Sequence, residues 1–211
     1  MIISRTPFRV SFFGGATDYP AWYNYHPGAV LATSINKYCY ISCRYLPPFF
    51  EHKYRVVYSK IETVKDRIQI QHPVVRAAIE LMKIDRGLEI HHDGDLPART
   101  GLGSSSSFTV GMLHALYALN GMMPTKKQLA LEAINLERNI LKENVGSQDQ
   151  ITASIGGFNR LDFDSENENG FRETPIMIGN NRKQDLQNHL MLFFTGISRY
   201  ASDIAKKKID N

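Results

Sequence analysis

A loop rich in glycine and serine, directly before a long apolar pattern, is the feature that most constrains this chain. The stretch reads LPARTGLGSSSSF over residues 96–108. Apolar residues then recur at helical spacing, which predicts a helix from about Ser104 to Leu119. Glycine permits tight turns, and serine is favoured at helix starts. The stretch is therefore either an ordinary helix cap or a site that holds an anion, and we favour the anion.

Three familiar glycine motifs do not fit this loop. A P-loop needs lysine where the chain has Ser104, and a dinucleotide fingerprint needs a third glycine where it has Ser106. A hydrolase elbow needs a glycine two residues after its serine, which is also missing. What remains is that glycines let the backbone approach a phosphate, and that a helix start attracts its charge. The Ser105 hydroxyl could add an oxygen ligand for Mg²⁺.

Composition narrows the class of protein. The chain has 211 residues, 43% hydrophobic and 22% charged, which suits a soluble globular protein of one large or two small domains. The formal net charge is +4, and the only basic run is AKKKID, so no dense basic block indicates nucleic acid. A small anionic substrate fits this charge as well.

Cysteine content and the N-terminus indicate the cytoplasm. Cys39 and Cys43 have no companions at metal-site spacing, which predicts reduced thiols and a reducing compartment. No stretch approaches the ~20 apolar residues of a membrane span. The N-terminus MIISRTPFRV lacks the features of a signal peptide.

The order of elements predicts an α+β fold, because strands and helices do not alternate regularly. The stretch AVLATSINKYCYISCRYL is long enough to bend into two strands. Thr125 and Gln128 predict a capping box before the helix that follows. The polar stretch DSENENG is a predicted loop and domain seam, and a strand over HLMLFFTG and a helix over SRYASDIAKKKI follow it. Further strands are predicted at FRVSFF, YRVVYS, GLEIHH and FNRLDF, and a helix at VVRAAIELMK.

Glu137 falls in the middle of an apolar sector when the helix after Thr125 is drawn at about 100° per residue. A carboxylate that faces a core is costly unless it is paired. Its partner is either an arginine from elsewhere in the chain or a metal ion. Both alternatives stay open at this point.

The stretch VGSQDQITASIGG places a second acid near the first. Ser147 and Gln150 predict a capping box, which puts Asp149 in the first turn of a short helix. Such an acid usually only stabilises the helix through its dipole. In phosphoryl transfer it can also accept the hydroxyl proton or orient the nucleophile.

The N-terminal stretch TPFRVSFFGGATDYPAWY combines polar and aromatic groups. Arg9 lies in an apolar strand, and Thr17, Asp18 and Tyr19 follow a glycine turn. Hydrogen-bonding groups beside aromatic faces suit a sugar, and a simple turn with aromatic residues in the core is the equal alternative.

The stretches PFRVSFFGGATDYP, LPARTGLGSSSS and GSQDQ, with the helical Glu137 before the last, resemble the GHMP small-molecule kinases. Within that superfamily the chain is most similar to the D-glycero-D-manno-heptose 7-phosphate kinases, and fucokinase-type domains are similar too. The resemblance implies a two-domain α+β fold with the active site between the domains. It also implies ATP and Mg²⁺ as cofactors, a phosphorylated sugar as substrate, and phosphorylation of its anomeric hydroxyl.

The resemblance also implies roles for particular residues. Asp149 would be the catalytic acid, Arg9 the cation near the transferred group, and Glu137 with Ser105 the Mg²⁺ ligands. The nucleotide side is assigned to Pro97, Gly101, Leu102, Gly103, Ser104, Ser105 and Ser106. The substrate side is assigned to Gly15, Thr17, Asp18, Tyr19 and Arg199.

For the domain organisation we predict an N-terminal kinase domain over 1–165 and the beginning of a C-terminal domain over 166–211. The late glycine-rich motif of the family does not occur after Gly196. The resemblance therefore predicts an interrupted second domain, weak Mg·ATP binding, little turnover and association through exposed apolar surface. Alternatives are another GHMP sugar kinase, a non-catalytic sugar- or nucleotide-binding relative, and a nucleic-acid binder. Both Glu137 and Asp149 favour the kinase, and no nucleic-acid or membrane partner is predicted.

Overall fold

The computed structural model describes residues 1–98, 100–167 and 169–193. In these residues a mixed sheet of seven strands is covered by helices, which confirms the α+β class. The strands are β1 (Ile2–Phe13), β2 (Gly28–Tyr45), β3 (Tyr54–Val57), β4 (Ile61–Val64), β5 (Leu88–Gly94), β6 (Phe158–Phe163) and β7 (Phe171–Pro175). The helices are α1 (Pro20–Tyr23), α2 (Pro73–Leu81), α3 (Ser104–Leu119), α4 (Lys126–Ile134), α5 (Gln148–Ile155) and α6 (Asn180–Asn188).

Strand β2 is the centre of the sheet. It is one strand of 18 residues, whereas the sequence predicted that it could bend into two. Its N-terminal half pairs with β6 and its C-terminal half with β5, so each half has a different neighbour. Strand β1 pairs with β2 from Ile2↔Cys43 to Phe13↔Leu31 and keeps it continuous. The order β4-β3-β5-β2-β6-β7 is antiparallel throughout except for the parallel pair β3 and β5.

Helix α3 packs across β1 and β2 and forms the core with them. Met112, Leu113 and Leu116 are buried on this helix, and Cys39 and Cys43 are buried on β2. Both cysteines are free, as predicted. Burial raises the pKa of Cys39 to about 12 and that of Cys43 to about 11, so the thiols stay protonated and inert.

The cap predicted for α4 is only half formed. The Thr125 hydroxyl accepts a hydrogen bond from the Gln128 N–H at 3.1 Å. The Gln128 side chain does not return to Thr125; its Nε2 donates to Glu132 Oε1 at 3.0 Å. The Glu132 carboxylate binds the side-chain amide of Gln128, so the second hydrogen bond of the capping box, from the Thr125 N–H to the Gln128 side chain, is absent.

The polar stretch predicted as a domain seam forms the connection between β6 and β7. Strand β7 extends the same sheet, with Phe171 opposite Phe163. The division of the chain into two domains stays a prediction. A strand was predicted to begin at His189, and residues 189–193 contain none. The remainder of that stretch, the predicted final helix and Arg199 lie outside the described residues.

Within the part of the chain that the structure describes, the helices are too short or too polar for a membrane span.

Leu113 offers a test of the core, because its side chain on α3 is fully buried. We expect Leu113→Ala to lower the free energy of unfolding by about 2–5 kcal/mol, through lost apolar contact and a residual cavity. The matched control is Met123→Ala, because Met123 is 82% exposed. Urea unfolding of both variants measures the difference. Equal losses would contradict the packing described here.

Candidate active site

Arg9 and Asp149 form an ion pair between β1 and the first turn of α5. Arg9 Nε lies 2.7 Å from Asp149 Oδ1, and Arg9 Nη2 lies 2.9 Å from Asp149 Oδ2. The two side chains are 12% and 26% exposed, so water reaches the carboxylate more easily than the guanidinium. Two parallel hydrogen bonds fix the plane of the carboxylate as well as its charge. The structure therefore brings together two residues that are 140 positions apart in the sequence.

The glycine loop closes directly over this ion pair. Arg9 Nη1 donates to the Gly101 carbonyl at 2.8 Å, and the Arg9 N–H donates to the Leu102 carbonyl at 3.0 Å. Gly103 has φ +72°, and a Cβ there would lie 3.1 Å from Arg9 Cγ and 3.4 Å from Asp149 Oδ2. Arg9 thus anchors both the loop and Asp149.

The loop leads into the start of α3, as the sequence predicted. Gly101 has φ +76° and is exposed, and no atom lies within 4 Å of where its Cβ would be. Backbone N–H groups in the first turn of any helix have no acceptor within the helix, and the helix dipole is positive at that end. An open glycine loop beside such a helix start is suited to a phosphate group. Pro97 lies in the same loop, where its carbonyl accepts the Thr100 hydroxyl at 3.3 Å.

Glu137 is a fully buried carboxylate near the starts of α3 and α5. It lies in a wide helical turn, Asn135–Ile140, that continues α4 with π-type hydrogen bonds. Its Oε2 accepts hydrogen bonds from the Ser106 hydroxyl at 2.9 Å and from Gln150 Nε2. Its Oε1 is buried and has no hydrogen-bond partner among the described residues. The partners shown are therefore neutral groups, and they leave one oxygen unused.

Burial raises the pKa of Glu137 to about 7, even though hydrogen bonds from Gln150 and Ser106 favour the charged form. A carboxyl group with a pKa near physiological pH is neutral or charged there according to the charges that lie close to it.

The donor set around Glu137 fits Mg²⁺ bound together with phosphate. The described residues contain no group of three or more His, Cys, Asp or Glu side chains that could hold a metal alone. Mg²⁺ is usually held by one or two carboxylates, with waters and substrate phosphates completing its ligands. Glu137 Oε1 and the nearby serine hydroxyls are the oxygen ligands that the protein would contribute to such an ion. Ser106 is the serine that touches Glu137, whereas Ser105 is exposed. Ser105 as a ligand stays a prediction.

The capping box predicted for Ser147 and Gln150 is wrong. Ser147 gives no side-chain cap to α5, and its hydroxyl instead accepts from Arg138 Nη2 at 2.6 Å. Gln150 reaches Glu137. A buried carboxylate and a guanidinium bind these side chains more strongly than the helix start does. Asp149 is nevertheless in the first turn of α5, as predicted.

The residues predicted on the substrate side lie close to this centre. Asp18 is fully buried, and its oxygens accept from the N–H groups of Gln148 at 3.0 Å and Ala16 at 3.2 Å. Burial and the nearby Asp149 charge raise the pKa of Asp18. The Thr17 hydroxyl donates to the Gly14 carbonyl at 2.8 Å.

Gly15 is exposed and Tyr19 is half-buried beside these residues. Their contacts with a sugar stay predictions.

Sequence reasoning missed Gly146, Gln148 and Gln150 as parts of the site. The only signal was their position around Asp149 in GSQDQ. Their partners, Asp18 and Glu137, come from distant parts of the chain, and only folding brings them together.

The fold is α+β, and its candidate site combines a glycine loop at the start of α3, the Arg9–Asp149 ion pair and the buried carboxylate of Glu137. Residues 72–157 match the sequence model of the GHMP kinases N terminal domain. Over these residues the chain is therefore similar to a GHMP kinase N-terminal domain.

Particular proteins are similar to the chain over most of its length. A D-glycero-alpha-D-manno-heptose 7-phosphate kinase of Campylobacter jejuni is 28% identical over 218 residues, which cover 98% of this chain and 63% of that protein. The structure of a putative sugar kinase from Campylobacter jejuni has a TM-score of 0.77 at 23% identity, covering 99% of this chain and 67% of that one.

The crystal structure of a D-glycero-D-manno-heptose 1-phosphate kinase from Bacteriodes thetaiotaomicron has a TM-score of 0.75 at 21% identity, covering 85% and 61%. At these identities the solved structures show the fold. The chain spans less than two thirds of the length of the curated heptose kinase.

The raised pKa of Glu137 predicts how the stability of the metal-free protein depends on pH. Native Glu137 keeps its proton up to about pH 7, whereas the ordinary pKa is 4.5. The native state thus binds more protons between these values, and stability falls as pH rises through this window. Glu137→Gln removes the titration, so we expect the variant to gain on the order of 1–3 kcal/mol over wild type at pH 8 and little at pH 5.

Urea unfolding with a chelator present, at both pH values, makes this measurement. Glu51→Gln, at an exposed position, is the control. If wild type and Glu137→Gln change in parallel with pH, Glu137 is not the titrating group.

Proposed function

We propose that this chain carries the nucleotide-binding and catalytic part of an ATP-dependent sugar kinase. The substrate we propose is D-glycero-D-manno-heptose 7-phosphate, phosphorylated on its anomeric hydroxyl to the 1,7-bisphosphate. The observation that carries the proposal is the Arg9–Asp149 pair held against the glycine loop at the start of α3. The place of the reaction is the cytoplasm, which the two free cysteines support.

The phosphates of ATP bind at the loop of Gly101, Leu102 and Gly103. The left-handed backbone at both glycines lets main-chain N–H groups approach an anion without interference from side chains. The start of α3 adds its positive dipole end. When bound, Mg²⁺ would neutralise phosphate charge, with Glu137 and the serine hydroxyls beside it as its protein ligands.

Asp149 and Arg9 act on the sugar hydroxyl that accepts the phosphoryl group. The sugar hydroxyl oxygen attacks the γ-phosphorus, the bond from that phosphorus to the bridging oxygen breaks, and ADP leaves. The hydroxyl proton passes to the Asp149 carboxylate, which Arg9 holds in a fixed plane through two hydrogen bonds. Phosphoryl transfer depends chiefly on such positioning and on charge stabilisation.

The choice of heptose rests on the relatives and on the motif resemblance. The Campylobacter jejuni relative is named as a 7-phosphate kinase and the Bacteriodes thetaiotaomicron structure as a 1-phosphate kinase. The position of the substrate phosphate is therefore the point to test. We propose the 7-phosphate, because the match to the Campylobacter jejuni 7-phosphate kinase covers 98% of this chain.

A substrate panel tests this proposal. ADP release is measured with heptose 7-phosphate, heptose 1-phosphate, unphosphorylated heptose, galactose, fucose and mevalonate, each with Mg·ATP. We expect the highest kcat/KM with heptose 7-phosphate, because the substrate phosphate adds charged hydrogen bonds that the free sugars lack. Equal values for the unphosphorylated sugars would contradict the proposed substrate.

Asp149→Asn tests the proposed base. The amide keeps the shape of the carboxylate and cannot accept the proton, so we expect kcat to fall by about 10²–10⁴ while Mg·ATP affinity changes little. Asp162→Asn is the matched control, because Asp162 pairs with Arg160 and Arg172 on β6 and β7. Turnover comes from the ADP assay and affinity from calorimetry. Full activity of Asp149→Asn would remove Asp149 from the mechanism.

A further inference from the structure

Asp18 is a fully enclosed carboxylate that binds the segment directly before Asp149. Its Oδ2 accepts the Gln148 N–H at 3.0 Å, and its main-chain carbonyl accepts the Ser147 N–H at 3.2 Å. The side chain is 0% exposed. Two successive amides before Asp149 are thus held by one residue of the N-terminal loop.

Gly146 completes this enclosure. A Cβ at Gly146 would lie 1.9 Å from Asp18 Oδ2 and 2.6 Å from Asp18 Cγ. No side chain fits at that distance, so the backbone of residues 146–148 wraps closely around the carboxylate. Because residues 146–148 are held in this way, the backbone at Asp149 has little freedom to move relative to Asp18.

The other side of Asp18 is held by a rigid loop. Its Oδ1 accepts the N–H of Ala16, which has φ +82°, a conformation unusual for a residue other than glycine. Gly14 has φ +86°, and a Cβ there would lie 1.8 Å from the Ala29 carbonyl oxygen. The loop is therefore fixed against β2, and Asp18 connects it to the segment that carries Asp149.

The hydrogen bonds of Asp18 are not those of a direct contact with a sugar. Each Asp18 oxygen already accepts a main-chain N–H, whereas Glu137 Oε1, the candidate ligand atom, has no partner among the described residues. Burying a carboxylate is costly, and the cost here is offset by main-chain N–H groups.

We propose that Asp18 is a positioning residue for Asp149, acting by holding residues 146–148 against the N-terminal loop. This inference rests on the proposed function of Asp149 as the proton acceptor. It assigns to Asp18 a role different from the substrate contact that the resemblance implies. A small displacement of Asp149 would then lower the rate without weakening substrate binding.

Two variants disturb the contact from opposite sides. Asp18→Asn keeps the shape and replaces one acceptor oxygen by a donor group, so either the Ala16 or the Gln148 N–H loses its partner. Gly146→Ala leaves Asp18 intact and forces the carboxylate and the 146–148 backbone apart. Gly179→Ala is the matched control, because no atom lies within 4 Å of its Cβ position.

The measurements are kcat, KM for the sugar, Mg·ATP affinity, and amide hydrogen exchange over residues 145–150. We expect both variants to lower kcat by about 10²-fold and to speed exchange, with KM and Mg·ATP affinity within about twofold of wild type. Gly179→Ala should match wild type. A raised sugar KM with unchanged kcat in Asp18→Asn would make Asp18 a substrate contact and overturn the proposal. Unchanged kcat in Gly146→Ala would overturn it as well.

Failure of the proposed function is distinguishable from failure of this inference. If wild type neither binds Mg·ATP nor turns over any member of the substrate panel, the proposed function fails. A crystal structure of Gly146→Ala then decides the positioning role. Unchanged Arg9–Asp149 distances of 2.7 and 2.9 Å would overturn it, and longer ones would support it.

Discussion

The guanidinium of Arg9 is the point through which the separate parts of the site hold one another. Its Nε and Nη2 donate to Asp149, and its Nη1 donates to the Gly101 carbonyl. The backbone N–H of Arg9 donates to the Leu102 carbonyl. One residue of β1 therefore sets the position of the glycine loop and of α5 together. Because arginine presents several donors in a fixed plane, lysine could not hold all of these acceptors in the same geometry.

Glu137 shows the cost of a site built inside a core. A fully buried carboxylate lowers stability at neutral pH unless it is satisfied, and this one has one oxygen without a hydrogen-bond partner among the described residues. The wide helical turn at Asn135–Ile140 places it beside Ser106 and Gln150. Such turns are often found at functional sites, where the extra residue redirects a side chain.

Local patterns predicted much of the fold. Helix α3 begins and ends where the apolar spacing placed it, and β6 occupies the stretch predicted for it. Local patterns did less well where a side chain had a stronger partner far along the chain. Ser147 and Gln150 have the spacing of a capping box, yet Arg138 and Glu137 bind them instead. Because those partners come from another element, no reading of the five residues GSQDQ could have found them.

The sequence by itself determined the α+β class, the glycine loop at the start of α3, the burial of Glu137 and the place of Asp149 in a first turn, because each follows from local spacing and turn chemistry. The tertiary structure alone decided which groups meet. It placed Arg9 on Asp149 across 140 positions and Asp18 against Gly146, and it filled the neighbourhood of Glu137 with neutral donors rather than arginine. Contacts of this kind depend on how β1, α3 and α5 pack on one another, and packing is a property of surfaces that are separate in the sequence.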